Sequence, residues 1–98
     1  MTDPVVNQLR EQITSTDRSL VEAINTRLKL VDQLRRYKER HDLPFLDQSR
    51  EEWMLRYLTR ANRGPLSTEG LAEIYAQILD LTKRETTRAA GESASTGD

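Results

Sequence analysis

The chain has 98 residues, a formal net charge of −1 from 15 basic and 16 acidic residues, and no cysteine. This length corresponds to one domain with a marginal core, and the charge balance argues against nucleic acid as the main partner. Without cysteine there is no disulfide or thiol nucleophile, and the single histidine, His41, cannot build a histidine-rich metal site. We therefore expect neither a metal site nor a covalent thiol mechanism.

The chain shows no targeting or membrane signal. No run of 18 apolar residues predicts a transmembrane helix, and the N-terminus lacks the basic-then-apolar pattern of a signal peptide. We expect a cytoplasmic protein.

The first predicted element is a very long helix. Its N-cap is expected at residue 2 or 3, Pro4 suits the first helical position, and neither glycine nor proline occurs from 5 to 42. The periodic pattern runs to about Lys38 or Arg40, which at about 1.5 Å per residue makes a rod of roughly 50 Å. Because a compact monomer of this length cannot cover such a rod, we predict that two copies pair.

A second, shorter helix follows an extended step at Leu43-Pro44. Asp47 or Ser49 is expected to cap it, since Ser49-x-x-Glu52 fits a capping box. The segment Asn62-Arg63-Gly64-Pro65 predicts its end, with glycine as the left-handed cap and proline after it. Its predicted apolar face consists of Trp53, Met54, Tyr57, Leu58 and Ala61.

Ser67 is expected to cap a third helix that ends by residues 88–90. Residues 91–98 (GESASTGD) are small and polar, which predicts a disordered tail after a helical domain of residues 1–90. No internal repeat or strand-like alternation is present, so the predicted fold class is all-α. The inward face of the third helix is predicted to contain Leu71, Ile74, Tyr75, Ile78 and Thr82.

The first helix carries charges on a face that should pack. Steps alternating between three and four residues place one set of positions on a single helix face. Three cations and one acid interrupt this otherwise apolar face, and buried cations cost several kcal/mol unless something negative meets them. The pattern predicts a small anionic ligand inside a helical bundle. The acid on this face, Asp17, is expected to pair with an arginine across the bundle. The nine positions are Arg10, Ile13, Asp17, Leu20, Ile24, Arg27, Val31, Leu34 and Lys38.

The spacing of these cations also favours a dimer. Arg27 and Lys38 lie about 16 Å apart along the axis and could hold one ligand, whereas Arg10 lies about 25 Å from Arg27. An antiparallel partner helix would bring a second Arg10 close to Arg27. The second helix adds Arg50 as a further cation and Glu51 as an acceptor for a ligand hydroxyl, at an N-terminus that favours anions. The alternative for any one cation is extension into solvent.

Several motifs occur in a specific order: Leu9-Arg10-x-x-Ile13-x-x-x-Asp17-x-x-Leu20, Ile24-x-x-Arg27, Lys38, Asp47-x-x-Arg50-Glu51 and Gly64-Pro65-Leu66-Ser67. Together they closely resemble the all-helical class of chorismate mutases, over about residues 5 to 86. The resemblance implies a three-helix protomer with one very long N-terminal helix, intertwined with a second copy as an antiparallel homodimer with two active sites.

The resemblance also implies an activity: the one-step Claisen rearrangement of chorismate to prephenate, without cofactor, in phenylalanine and tyrosine biosynthesis. Arg27 and Arg10 from the second copy would grip the two carboxylates of the substrate. Lys38 would contact a carboxylate and the ether oxygen, and Arg50 would support the electrostatics. Glu51, with the backbone near Asp47, would hold the ring hydroxyl.

One position departs from the family pattern. The family usually has a glutamine, sometimes a glutamate, late in the third helix, which donates a hydrogen bond to the ether oxygen. Here Thr86 aligns with it, Thr82 aligns with a preceding carboxylate-contact position, and Glu85 is adjacent. A glutamate must be protonated to donate, so activity through Glu85 would fall as pH rises, whereas threonine donates but is shorter. Activity could therefore be weak alone, which makes an activating shikimate-pathway enzyme a candidate partner.

Four alternatives stay open on the same residues. Isochorismate-pyruvate lyase and aminodeoxychorismate mutase act on similar dicarboxylates, so the cations do not separate them from chorismate mutase. A non-catalytic regulatory dimer is favoured slightly by Thr86, but the five charged site residues argue against it. A DNA-binding dimer is the least favoured, given the charge balance.

Overall fold

A computed structural model of the chain describes residues 3–45 and 47–96. Within them the chain forms three helices, α1 (Pro4–Arg40), α2 (Gln48–Ala61) and α3 (Thr68–Thr96). Both α1 and α2 pack against α3. The prediction of an all-α, three-helix protomer is therefore confirmed, and α3 is the helix on which the other two pack.

Helix α1 begins and ends at residues that favour helix termini. The Asp3 side chain accepts a hydrogen bond from the Val5 amide at 2.8 Å, and Pro4 occupies the first turn. This matches the expected N-cap, because a carboxylate there satisfies an amide that has no partner inside the helix. Lys38 and Arg40 lie in the last turn, where positive charge complements the helix dipole. The 37 residues give a rod of about 55 Å.

Helix α2 is capped by one of its two candidates. The Asp47 Oδ1 atom accepts from the Arg50 amide at 3.1 Å, so the alternative cap at Ser49 is wrong. The helix ends at Ala61, and Gly64 has a φ of +76°, two residues beyond the C-cap Asn62. The Asn62 side chain orders this loop, since it accepts from the Gly64 amide at 3.0 Å and donates to the Leu66 carbonyl at 2.8 Å.

Helix α3 starts as predicted and ends later than predicted. The Ser67 hydroxyl accepts from the Gly70 amide at 2.9 Å, which is the expected N-cap. The helix continues to Thr96, so the predicted end at residues 88–90 is wrong, and the expected disordered tail is helical as far as residue 96. Extending an existing helix costs far less than nucleating one, and alanines such as Ala90 favour it. Residues 97 and 98 lie outside the described residues.

The packed interior of the protomer is small and lies along α3. Tyr75 is 7% exposed, and Thr82 is buried on the same face. The two predicted packing faces are each only partly correct, because Ile74 on α3 is 47% exposed and Trp53 and Tyr57 on α2 are 43% and 48% exposed. The apolar positions of α2 cover a wider arc than one neighbouring helix can bury, so Met54, Leu55 and Leu58 lie more deeply than the two aromatic residues.

The N-terminal half of α1 is not covered by any other part of the chain that the structure describes. Every residue from 3 to 23 is exposed, including the large apolar residues Val5, Leu9, Ile13 and Leu20, at 52–62%. The radius of gyration is 17.9 Å, whereas about 13 Å is typical of a compact domain of this length. This protomer is therefore extended, with one apolar helix face open to a partner.

None of the described helices combines the length and the apolar character that crossing a membrane requires.

Candidate active site

Arg27 and Thr82 join α1 to α3 at the centre of the candidate site. The Arg27 Nη1 atom donates to the Thr82 Oγ1 atom at 2.5 Å, and that hydroxyl donates in turn to the Ile78 carbonyl at 2.6 Å. Thr82 is 8% exposed, so the bond lies in a region with little water. A guanidinium has five N–H donors, and this bond orients the group while using only one of them. Arg27 can therefore be held in place and still bind an anion.

Lys38 lies near the C-terminal end of α1, where the chain turns back. Its Nζ atom donates to the Phe45 carbonyl at 3.4 Å, and the residue is half-buried. The ammonium group has three donors, so two can serve a ligand. The loop after α1 thus restrains the lysine without neutralising its charge.

The first turn of α2 holds the next group of predicted site residues. The Asp47 carboxylate caps the helix, and the Arg50 guanidinium carbon lies 4.8 Å from the centroid of the Trp53 ring. A cation over an indole face is attracted by the electrons of the ring. Asp47 therefore has a structural role in this protomer, and Trp53 restrains Arg50 beside a helix N-terminus that attracts anions.

Glu51 forms an ion pair that the sequence analysis did not predict. Its Oε1 atom lies 3.6 Å from the Nζ atom of Lys83 on α3, and the two side chains are 29% and 52% exposed. The only sequence signal was the position of Lys83 next to Thr82, and a single lysine on a helix normally indicates a solvated side chain. Lys83 is thus a charged neighbour of the candidate site.

Thr86 and Glu85 differ in their surroundings on α3. Thr86 is 8% exposed and lies one turn after Thr82, so both hydroxyls are on the face that packs. Glu85 is half-buried and pairs with Arg88 of its own helix at 3.4 Å between Oε1 and Nη1. Both residues line an open cavity of about 230 Å³ between α1 and α3, with Leu28, Lys29, Asp32 and Ala89.

Arg10 is not brought to this site within the protomer. It lies on the exposed half of α1, in an open groove of the helix surface with Asn7 and Thr14, about 25 Å along the axis from Arg27. Asp17 is exposed on the same half of the helix. Across the described residues, no group of three or more acidic or histidine side chains is arranged to hold a metal ion.

The described residues thus define an all-helical protein in which the predicted site residues Arg27 and Lys38 are half-buried. The family described as chorismate mutase type II matches residues 9–87. A solved structure of chorismate mutase (form II) from Thermus thermophilus is 29% identical, with a TM-score of 0.79 over 85% of this chain and 94% of that one. Form I of chorismate mutase from the same organism gives 30% identity and a TM-score of 0.76 over 79% of this chain and 96% of that one.

Two curated relatives are bifunctional chorismate mutase/prephenate dehydratases. The relative from Pseudomonas aeruginosa is 32% identical over 76 residues, and that from Stutzerimonas stutzeri is 28% identical over 76 residues. Each match covers 72% of this chain and 21% of the relative, so the chain spans about a fifth of their length. The chain belongs to the chorismate mutase type II family. The reaction after which this family is named is an isomerisation.

Proposed function

We propose that this chain rearranges chorismate to prephenate in the biosynthesis of phenylalanine and tyrosine. The observation that carries the proposal is the bond from Arg27 to the buried Thr82 hydroxyl, which orients a cation on the face of α1 that also carries Lys38. The substrate is a dicarboxylate with an ether oxygen and a ring hydroxyl. Oriented cations and a carboxylate acceptor, Glu51, match those groups in chemical type.

The proposed mechanism needs neither a covalent intermediate nor a cofactor. In the transition state the carbon–oxygen bond lengthens, and the ether oxygen gains negative charge. Arg27 holds a carboxylate, Lys38 contacts a carboxylate and the ether oxygen, and Arg50 adds positive potential from the start of α2. Such preorganised charges stabilise the transition state because they need not reorient as the charge develops. They also hold the flexible enolpyruvyl arm over the ring, which removes part of the entropic barrier.

We further propose that the active form is an antiparallel, intertwined homodimer in which Arg10 of one copy completes the site of the other. The exposed apolar residues on the N-terminal half of α1 support this, since a second copy would cover them. The radius of gyration of 17.9 Å also supports it. Arg10 is about 25 Å from Arg27 on the same helix, so it can serve such a site only from another copy.

Thr86 affects the turnover that we expect from the chain in the absence of a partner protein. A threonine hydroxyl reaches less far than a glutamine amide, so we propose that turnover without a partner is modest. An activating enzyme of the same pathway is the candidate partner. The runner-up reactions, isochorismate-pyruvate lyase and aminodeoxychorismate mutase, use similar dicarboxylates and are outcomes of the same assay. A non-catalytic regulatory dimer would give no turnover at all.

The test is loss of chorismate absorbance with the purified chain, followed by identification of the product. We expect prephenate to form faster than in buffer, where chorismate also rearranges slowly. Arg27→Ala is the matched control, and its rate should fall by orders of magnitude towards the rate in buffer. Release of a hydroxybenzoate and pyruvate from isochorismate, without turnover of chorismate, would replace the proposal with the lyase. A rate equal to that in buffer would overturn catalysis by the chain.

A further inference from the structure

Lys83 connects α3 to the candidate site through Glu51. The two charged atoms are 3.6 Å apart, and within residues 3–45 and 47–91 this is the only ion pair that joins two helices. Lys83 directly follows Thr82, whose hydroxyl accepts from Arg27. One short stretch of α3 therefore contacts a predicted site residue on α1 and another on α2.

The stability of the fold does not explain this pair. Lys83 is 52% exposed in its side chain, and exposed ion pairs contribute little to folding because water already solvates both charges. Glu51 is more buried, at 29%, and its carboxylate lies at the start of α2 with the other predicted site residues. A substrate with two carboxylates would be repelled by an unpaired acid there. The pair therefore has more consequence for binding an anion than for folding.

We propose that Lys83 is a positioning residue for Glu51, an inference that rests on the proposed function. Its ammonium group holds the Oε1 atom of Glu51 and offsets the negative charge that Glu51 brings to a site for a dianion. A carboxylate has two oxygens, so Oε2 is left to accept a hydrogen bond from the substrate hydroxyl. Lys83 itself acts through Glu51 and is not assigned a contact with the reacting atoms.

The experiment measures kcat and KM for chorismate with the full chain and three variants. In Lys83→Gln we expect KM to rise about five- to tenfold, as for the loss of one favourable charge interaction near the surface, with a smaller change in kcat. Lys83→Arg keeps the charge and should restore most of the affinity. Arg84→Gln is the matched control, because Arg84 pairs with Asp80 of its own helix at 3.2 Å and should leave both constants unchanged.

A double-mutant cycle separates this role from a general effect of charge. In a Glu51→Gln background there is no acid to offset, so Lys83→Gln should change KM by less than about twofold. An equal effect in both backgrounds, or no effect in the unsubstituted chain, would overturn the role of Lys83 while leaving the proposed function intact. Lys83→Met provides a second neutral variant, and circular dichroism checks that each variant is helical. Absence of turnover by the unsubstituted chain would overturn the proposed function and this inference together.

Discussion

The guanidinium of Arg27 on α1 is held by the hydroxyl of Thr82 on α3, although 55 positions separate the two residues in the chain. Thr82 is one of the few buried residues among those whose burial is described, and its hydroxyl bonds both Arg27 and the Ile78 carbonyl. The same contact that joins α1 to α3 therefore holds the cation that we propose binds the substrate. We therefore expect folding and substrate binding to depend here on one polar atom.

Replacing Thr82 by valine should separate these two roles. Valine has nearly the same shape but no hydroxyl, so the Arg27 guanidinium loses its partner on α3. Hydrogen bonds to charged groups contribute roughly 1.5–3 kcal/mol, and we expect kcat/KM to fall by about ten- to a hundredfold. Thr87→Val is the control, because the exposed Thr87 hydroxyl donates to the Lys83 carbonyl of its own helix, one turn earlier, at 2.9 Å. Equal activity of the two variants would contradict the orienting role of Thr82.

Lys38→Ala should lower kcat by orders of magnitude while the helical content stays near normal. Its ammonium is proposed to face the charge that develops on the ether oxygen, and removing one such donor typically costs about 10²–10³-fold in rate. Arg40→Ala, two residues later and exposed, is the control for charge at the end of α1. Steady-state kinetics and circular dichroism measure the two effects. Near-normal turnover of Lys38→Ala would remove it from the mechanism.

A mixture of Arg10→Ala and Arg27→Ala chains should recover activity that neither variant has alone. If each site takes Arg27 from one copy and Arg10 from the other, a mixed dimer contains one site with both arginines. About half of the dimers in an equimolar, fully exchanged mixture are mixed, so about a quarter of all sites should be intact. Subunit exchange is verified with differently tagged chains. Failure to recover activity despite proven exchange would rule out shared sites.

Thr86→Gln should raise kcat, because a glutamine amide reaches further than a threonine hydroxyl and donates to the ether oxygen. We expect kcat to rise about tenfold or more. This gain is smaller than the roughly 10²–10³-fold that a well-aligned donor contributes, because the buried position must adjust to a longer side chain. Thr87→Gln, on the exposed face, should leave kcat unchanged. A decrease in kcat with an unchanged fold would contradict the assignment of Thr86 to the ether oxygen.

Glu85→Gln tests the neighbouring candidate for the same contact. Donation by Glu85 requires its protonated form, so a dependence on it would make kcat fall as pH rises, and the amide would abolish that fall. Because Glu85 pairs with Arg88 of its own helix, we expect the shape of the pH profile to be the same in both proteins. A profile that becomes flat only in Glu85→Gln would assign the donor to Glu85.

Local signals predicted much of this fold. Asp3 and Ser67 cap helices because a short polar side chain just before a periodic run satisfies free amides, and both are observed. The choice between Asp47 and Ser49 could not be made locally, since both offer a side-chain oxygen at the start of α2. The extra length of α3 was missed because the small polar residues after Ala90 also suit a loop, whereas they extend a helix that already exists.

The candidate site was predictable in its residue types but not in its contacts. The charges on the face of α1 were visible in the sequence because their spacing follows the helix period. The pairing of Glu51 with Lys83 was not, since it depends on how α2 packs on α3. The exposure of Trp53 and Tyr57, whose stacked rings have centroids 5.4 Å apart, was also not predictable. It depends on which helix faces pack against another helix of the same chain.

The uncovered N-terminal half of α1 has a thermodynamic consequence. If a second copy supplies the missing cover, unfolding and dissociation are one coupled event, and the midpoint of thermal denaturation rises with the logarithm of protein concentration. Specific activity would then fall on dilution as sites lose their second arginine. The cellular abundance of such a chain would set both its lifetime and its catalytic output.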